Sequence, residues 1–145
     1  MKNIFFWSPC LSNKVGTYKS TINSAISLSK YSNNFFSIKI INVCGEWDDK
    51  KEFFKKKNID VLDLGLKYYK FLPKEGFVKS RFSYLIIIFM SIFPLIKLLK
   101  KNNSDFFVVH LITSLPMILF YFFNYKSKLI LRISGFPKLN FLRKK

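Results

Sequence analysis

Alanine, cysteine and histidine are scarce in this sequence, and their scarcity excludes several kinds of protein. The 145 residues contain one alanine, Ala25, one histidine, His110, and two cysteines, Cys10 and Cys44. Two cysteines are too few for a disulfide scaffold. Without a CxxC pair or a second histidine they also do not supply the ligands of a zinc site. We therefore expect free cytosolic thiols and no metal centre.

A signal peptide and a convincing membrane span are also lacking. The apolar stretch at residues 4–7 is interrupted at Ser8, which is too early for a secretory leader. The two longest apolar runs are residues 84–96 and 106–123. A span needs about 20 apolar residues, whereas the first run is shorter and the second is divided by polar residues. We expect a cytoplasmic domain, and a small membrane protein built on these two runs is an alternative.

Acidic residues are few, and they are unevenly distributed. Lys and Arg number 25 against eight Asp and Glu, which gives a net charge of +17. Six of the eight acids lie within residues 46–63, whereas residues 64–104 contain eight bases and only Glu75. This excess predicts a cationic face towards a membrane surface, a phosphorylated ligand or another domain. A solvated lysine surface and the lysine bias of an AT-rich genome are the alternatives.

Short β-rich apolar runs alternate with longer segments of helical periodicity along the whole chain. Strands are predicted at residues 3–8, 36–43, 59–64, 105–110 and 128–133, and helices at 17–31, 46–57, 80–101 and 113–123. Parallel strands joined by right-handed crossover helices form an open sheet that is covered on both faces. The sequence therefore predicts an α/β, Rossmann-like domain over residues 1–145 with strand order 3-2-1-4-5. Because such domains normally continue past a fifth strand, we expect an incomplete part of a larger protein.

The carboxyl ends of the first two strands contain the first candidate substrate-binding residues, because ligands bind there in open parallel sheets. Gly16 and Thr17 open the first helix, where Thr17 is the expected N-cap and free N–H groups can meet a hydroxyl or phosphate. A single loop glycine does not make the GxGxxG fingerprint, so we expect no dinucleotide cofactor. After the second strand, Glu46 and Trp47 are expected at the rim, where a carboxylate and an aromatic plane suit a sugar.

Further candidates follow the loops before and after the last two strands. Arg81 and a neighbouring lysine lie at the start of the long helix, where positive charge is unfavourable unless an anion is near. His110 ends the fourth strand and is followed by Thr113, and the fifth strand ends with Arg132 and Ser134. His110 can donate a hydrogen bond to a sugar hydroxyl. A structural histidine and solvated basic side chains are the alternatives.

Several of these segments resemble retaining GT-B glycosyltransferases of family four. The resemblance is carried by the loop glycine Gly16, by GFVKSRFSY and DFFVVH, and by LRISGFPKLNFLRK. It spans essentially all 145 residues but only the first of the family's two domains. The loop has one glycine where the family pattern has two. In the family, the glycine loop lies near donor phosphate or acceptor, and the histidine contacts the transferred sugar. By position these roles fall on Gly16 and on His110 as the catalytic residue.

The resemblance implies the acceptor-side half of a hexosyltransferase-type enzyme. Such an enzyme moves a sugar from a nucleotide-sugar donor to a cell-envelope or lipid-linked glycan acceptor. The donor is held mainly by the second domain, so this fragment alone is expected to be inactive. The basic, apolar middle segment predicts peripheral contact with anionic lipid at the inner face of the cell membrane, and no nucleic-acid partner is expected for such an enzyme. The alternative is a non-catalytic basic module that binds anionic membrane or nucleic acid.

Overall fold

The computed structural model describes residues 1–10, 16–33, 35–101, 104–110, 114–123 and 126–132. Within these residues the strands are β1 (Lys2–Trp7), β2 (Phe36–Asn42), β3 (Asp60–Asp63), β4 (Phe106–His110) and β5 (Lys128–Arg132). The α-helices are α1 (Gly16–Tyr31), α2 (Lys51–Lys55), α3 (Phe77–Lys101) and α4 (Ser114–Phe123). Short 3₁₀ turns occupy Asp48–Lys50 and Tyr69–Phe71.

The five strands form one parallel sheet in the order β3-β2-β1-β4-β5. Phe6 of β1 pairs with Ile40 of β2 on one side and with Val108 of β4 on the other. His110, the last residue of β4, lies opposite Arg132 of β5. The predicted Rossmann-like α/β fold and its strand order are confirmed. The switch point of this topology lies between the carboxyl ends of β1 and β4.

Successive residues of each strand point to opposite faces of the sheet, and this alternation creates two cores. On one face, α1 and α2 cover the sheet, and Ala25 and Phe54 are fully buried there against Ile4, Phe6 and Ile40. On the other face, α3 and α4 cover Phe5, Trp7, Ile41, Phe107 and Val109. Each layer is therefore held by aliphatic and aromatic packing, which is the dominant favourable contribution to folding.

The second helix is shorter than the predicted segment 46–57, because side chains at the end of β2 and in the following loop form local hydrogen bonds within that loop. The carboxylate of Glu46 accepts hydrogen bonds from the backbone N–H groups of Val43 (3.1 Å) and Cys44 (2.8 Å). Asn42 accepts one from the N–H of Trp47 at 3.1 Å and donates one to Asp48 at 2.8 Å. Such local bonds compete with helical hydrogen bonding, so α2 begins only at Lys51.

The long helix α3 begins at Phe77, slightly before the predicted residue 80, and continues through Pro94. The hydroxyl of Ser83 donates to the carbonyl of Pro73 at 2.7 Å and ties the first turns of α3 to the preceding loop. Within the described residues, one helix is long and apolar enough by length and composition to cross a membrane. It is Val78–Lys101, whose most apolar 18-residue window has a mean hydropathy of 2.2 and is 33% buried in the fold.

Candidate functional site

His110 lies at the carboxyl end of β4, and its side chain is on the face of the sheet covered by α1. Alternation along β4 sends Phe107 and Val109 to the α3 side and Val108 and His110 to the α1 side. The imidazole stacks on the ring of Phe6 with centroids 6.0 Å apart and planes inclined by 15°. Only 3% of His110 is exposed. The histidine is therefore held in place by the sheet.

An open groove of about 450 Å³ runs between α1 and the strands β1, β4 and β5, and we call it the His110 groove. Its polar lining comes from Asn23, Ser24 and Ser27 of α1, and from His110 and Arg132 of the sheet. The guanidinium of Arg132 donates a hydrogen bond to the hydroxyl of Ser24, so the two walls of the groove are linked at one end.

The floor of the His110 groove is apolar. It is formed by Phe6 and Val108 of the sheet core together with Ile130 of β5, whose side chain is 44% exposed. An apolar floor with a few hydrogen-bonding groups along its walls is the usual composition of a small-molecule pocket, and its volume falls within the usual range.

Burial of His110 determines its protonation state. Burial lowers the pKa of the imidazole to about 4, and the positive charge of Arg132 lowers it further in the same direction. At neutral pH the ring is therefore uncharged, with one nitrogen as a donor and the other as an acceptor. Neither Nδ1 nor Nε2 has a hydrogen-bond partner among the described residues. Polar atoms of six other described residues are likewise buried without a partner, but those residues do not line the groove, whereas His110 does: Trp7, Ser8, Tyr18, Ser32, Trp47 and Tyr68.

Gly16 and Thr17 lie at the N-terminus of α1, but they do not line the His110 groove. Gly16 is exposed, and Thr17, which was expected as the N-cap, lies inside the helix. The carbonyl of Thr17 accepts a hydrogen bond from the hydroxyl of Thr21 at 2.9 Å. Gly16 and His110 therefore do not share this groove, whose α1 wall begins at Asn23, roughly 10 Å further along the helix.

The expectation that Glu46 and Trp47 stand at an exposed rim is wrong. Glu46 is 2% exposed and Trp47 is 0% exposed. The Glu46 carboxylate binds the N–H groups of its own turn and accepts the thiol of Cys44 at 3.3 Å, while burial raises the pKa of the carboxyl. The indole of Trp47 stacks on Tyr18 with centroids 4.7 Å apart. Both side chains therefore shape the turn after β2 from inside the fold.

The remaining candidates divide between the groove, another part of the molecule and segments that are not described. Arg132 lines the His110 groove as expected of a residue at the carboxyl end of β5. Arg81 is exposed in the first turns of α3, on the opposite face of the sheet. Thr113 and Ser134 lie outside the described residues.

Sequence reasoning missed the contribution of α1 to the groove. Asn23, Ser24 and Ser27 were not among the candidate residues, yet all three line the groove wall. A signal existed, because Ser20, Ser24 and Ser27 recur at helical spacing and form a polar row beside the buried Ala25. Only the packing of α1 on the sheet, with this row turned towards β4 and β5, shows that the row faces a groove.

The two cysteines and the metal-ligating residue types do not point to thiol or metal chemistry. Cys10 and Cys44 are free and buried, and burial raises the pKa of both thiols well above the ordinary value. A thiol needs a lowered pKa to act as a nucleophile near neutral pH. Among the residues that the structure describes, no group of three His, Cys, Asp or Glu side chains is placed to hold a metal ion.

Comparison with family models and with curated proteins finds no relative. No family model matches the chain, and no curated protein matches it significantly. The resemblance to family-four glycosyltransferases therefore stays a prediction that rests on the motifs alone.

Proposed function

We propose that this chain is the acceptor-side domain of a glycosyltransferase, and that the His110 groove binds a sugar unit of its substrates. The observation that carries the proposal is His110 itself. Its two ring nitrogens are buried and unpartnered among the described residues, and the ring lines the groove from the carboxyl edge of the parallel sheet, at the end of β4. That edge is where open α/β sheets bind their ligands.

A carbohydrate suits the composition of the groove. Sugars present hydroxyl groups around an apolar ring face, and the groove offers hydrogen-bonding groups on Asn23 and Ser27 above an apolar floor. Because His110 is uncharged at neutral pH, its imidazole can donate to one hydroxyl and accept from another. Arg132 adds a positive charge at one end of the groove, which suits a phosphate attached to the sugar.

The proposed role is orientation of a substrate. Neutral His110 holds a hydroxyl in a fixed position, and Arg132, held by Ser24, fixes the direction of a phosphate. Acceleration of the transfer requires contacts that strengthen in the transition state, and these include contacts to the nucleotide-sugar made by a second domain. We therefore expect the chain on its own to bind sugar without hydrolysing or transferring a nucleotide-sugar.

The experiment is an NMR titration that follows the imidazole C–H signals of His110, which are unambiguous because the chain has a single histidine. The probes are N-acetylglucosamine, glucose and glucose 1-phosphate. We expect these signals to shift saturably with each probe, and we expect glucose 1-phosphate to bind more tightly than the two sugars that lack a phosphate. Ser27→Leu fills the groove and should weaken binding roughly tenfold or more.

Two matched controls define the outcome. Lys30→Leu makes a similar change at an exposed position on α1 outside the groove, and it should leave the titration unchanged. Arg132→Gln should abolish the preference for glucose 1-phosphate, whereas Lys128→Gln, on the same face of β5, should retain it. Absence of a saturable shift with every probe, or equal weakening by Ser27→Leu and Lys30→Leu, would reject the proposal.

A further inference from the structure

The outer surface of α3 carries a row of exposed apolar side chains. Val78, Phe82, Leu85, Phe89 and Phe93 follow one another at spacings of three or four residues, which places them on one side of the helix. Their exposed fractions range from 50% for Leu85 to 80% for Phe93. From Val78 to Phe93 the helix rises by about 22 Å, so this row is a long apolar surface.

The opposite side of α3 is anchored in the protein core. Ile87, Leu95 and Leu98 are buried, and Leu95 and Leu98 pack with the sheet residues of that face. Ser83, also buried, holds the start of the helix to Pro73. The apolar row is therefore a surface of the folded domain, and its exposure does not require α3 to leave the sheet.

The second helix on the same face extends this apolar surface. In α4, Leu115 and Leu119 are buried against the sheet, whereas Met117, Tyr121 and Phe122 are at least half exposed. We call the exposed apolar side chains of the two helices the α3–α4 outer face. Contiguous apolar surfaces of this kind mark interaction sites in soluble proteins.

Basic residues border the α3–α4 outer face, and acidic residues are absent from the sequence that forms it. Lys79 lies near the start of α3, and Lys97, Lys100 and Lys101 lie in its last two turns, all of them exposed. The Lys100 ammonium lies 5.4 Å from the centre of the Phe123 ring and so stands beside α4. Between Gly76 and Ser104 the sequence contains no Asp or Glu.

Charge decides between the partners that could cover this surface. A second copy would bring lysines of both chains together at an apolar interface without any acid from α3 to neutralise them. An anionic bilayer supplies phosphates beside every lysine and an acyl boundary beneath the aromatic rings. We infer that the α3–α4 outer face binds the surface of an anionic lipid bilayer with α3 lying in the plane of the interface. This inference is independent of the His110 groove.

The experiment is co-sedimentation of the full chain with vesicles of phosphatidylcholine, with or without phosphatidylglycerol. We expect binding at least roughly tenfold tighter with phosphatidylglycerol, because each lysine near the surface gains attraction from anionic lipid. Salt at about 0.5 M should weaken it, since exposed charges are then screened. Phe89→Ser with Phe93→Ser should weaken it roughly tenfold as well, through loss of inserted apolar area.

Matched variants distinguish vesicle binding through the α3–α4 outer face from nonspecific binding through other exposed side chains. Phe35→Ser with Phe53→Ser also removes two exposed aromatic rings but lies outside α3 and α4, and it should leave binding unchanged. Lys97→Glu with Lys101→Glu should abolish the preference for phosphatidylglycerol. Lys55→Glu with Lys56→Glu, which makes the same charge change on and beside α2, should retain most of it.

Four results would overturn the inference. The first is equal binding to both vesicle types, and the second is an equal effect of the matched variants. The third is a dimer in light scattering that Phe89→Ser with Phe93→Ser dissociates. The fourth is resistance to carbonate extraction, because a spanning helix would stay in the membrane. If circular dichroism shows that a variant does not fold, the vesicle binding of the unaltered chain, and its dependence on phosphatidylglycerol and salt, still tests the inference. Loss of vesicle binding with an intact His110 titration would leave the proposed sugar groove standing.

Discussion

At the scale of single residues, buried polar groups determine the shape of the carboxyl edge. Glu46 and His110 are both almost completely buried, but their hydrogen bonding differs. Glu46 accepts three hydrogen bonds inside the turn after β2, whereas the His110 nitrogens have no partner among the described residues. The first residue therefore stabilises a loop, whereas the hydrogen-bonding capacity of the second is not used by any described residue.

Two glycines near this edge should respond oppositely to alanine. Gly45 has φ of +98°, and a Cβ there would lie 3.0 Å from Oδ2 of Asp48, so Gly45→Ala should lower the free energy of unfolding by about 1–2 kcal/mol. A Cβ at Gly16 would meet no atom within 4 Å. Gly16→Ala should therefore be neutral or stabilise by up to about 1 kcal/mol. Urea unfolding followed by fluorescence of the buried Trp7 and Trp47 measures both values.

The Gly16 variant also tests the role that the sequence predicted for this residue. Because Gly16 does not line the His110 groove, Gly16→Ala should leave the sugar titration unchanged. Loss of sugar binding in a stable Gly16→Ala protein would restore the predicted ligand role at the start of α1.

The lowered pKa of His110 should make stability depend on pH. The folded pKa is about 4, whereas the unfolded imidazole titrates near 6.5. Between these values the unfolded chain binds a proton that the folded chain does not, so the free energy of unfolding falls as the pH falls. From pH 7 to 4 the loss due to His110 should be on the order of 2–3 kcal/mol.

The comparison that isolates this effect is His110→Asn measured over the same pH range. Carboxyl groups such as Glu46 titrate in both proteins, and because burial raises the pKa of Glu46, its own effect on stability has the opposite sign. Subtracting the two curves removes that contribution. An imidazole titration midpoint near 6.5, or identical pH curves for both proteins, would show that His110 is solvated.

At the scale of elements, α3 is the clearest example of one helix with two different faces. Leu95 is 1% exposed and Phe93 is 80% exposed, although only Pro94 separates them. Leu95→Ala should lower the free energy of unfolding by about 2–5 kcal/mol because it leaves a cavity in the core. Phe93→Ala should change it by less than about 0.5 kcal/mol. Thermal and urea unfolding of the two variants give the comparison, and similar losses for both would mean that the outer face is covered.

Periodicity predicted the elements better than it predicted their limits. The strands were predicted to within about a residue at each end, since buried β-rich runs stop where polar loop residues begin. The helix after β2 was predicted too long, because an acidic and lysine-rich segment has the composition of a helix. The hydrogen bonds that Glu46 and Asn42 make with nearby backbone groups prevent it from starting earlier.

At the scale of the whole molecule, the two faces of the sheet have separate proposed tasks. The α1 face carries the His110 groove, and the α3 face carries the apolar, lysine-bordered surface. If the domain binds a bilayer through α3, the His110 groove lies on the face of the sheet that is turned away from the bilayer. A substrate with a lipid-linked sugar would then reach the groove around the carboxyl edge, where β4 and β5 end.

The sequence by itself determined the fold, because alternation of apolar strands with helices leaves few topologies once crossovers must be right-handed. It also identified His110 and Arg132 at the carboxyl edge, since strand ends can be read from a linear pattern. Only the tertiary structure decided which residues meet. Glu46 is buried because its own turn supplies the N–H donors, and Ser24 joins Arg132 because α1, packed on β2 and β4, brings Ser24 within reach of the end of β5. Contacts between residues about a hundred positions apart depend on how helices pack on the sheet, and no local pattern contains that information.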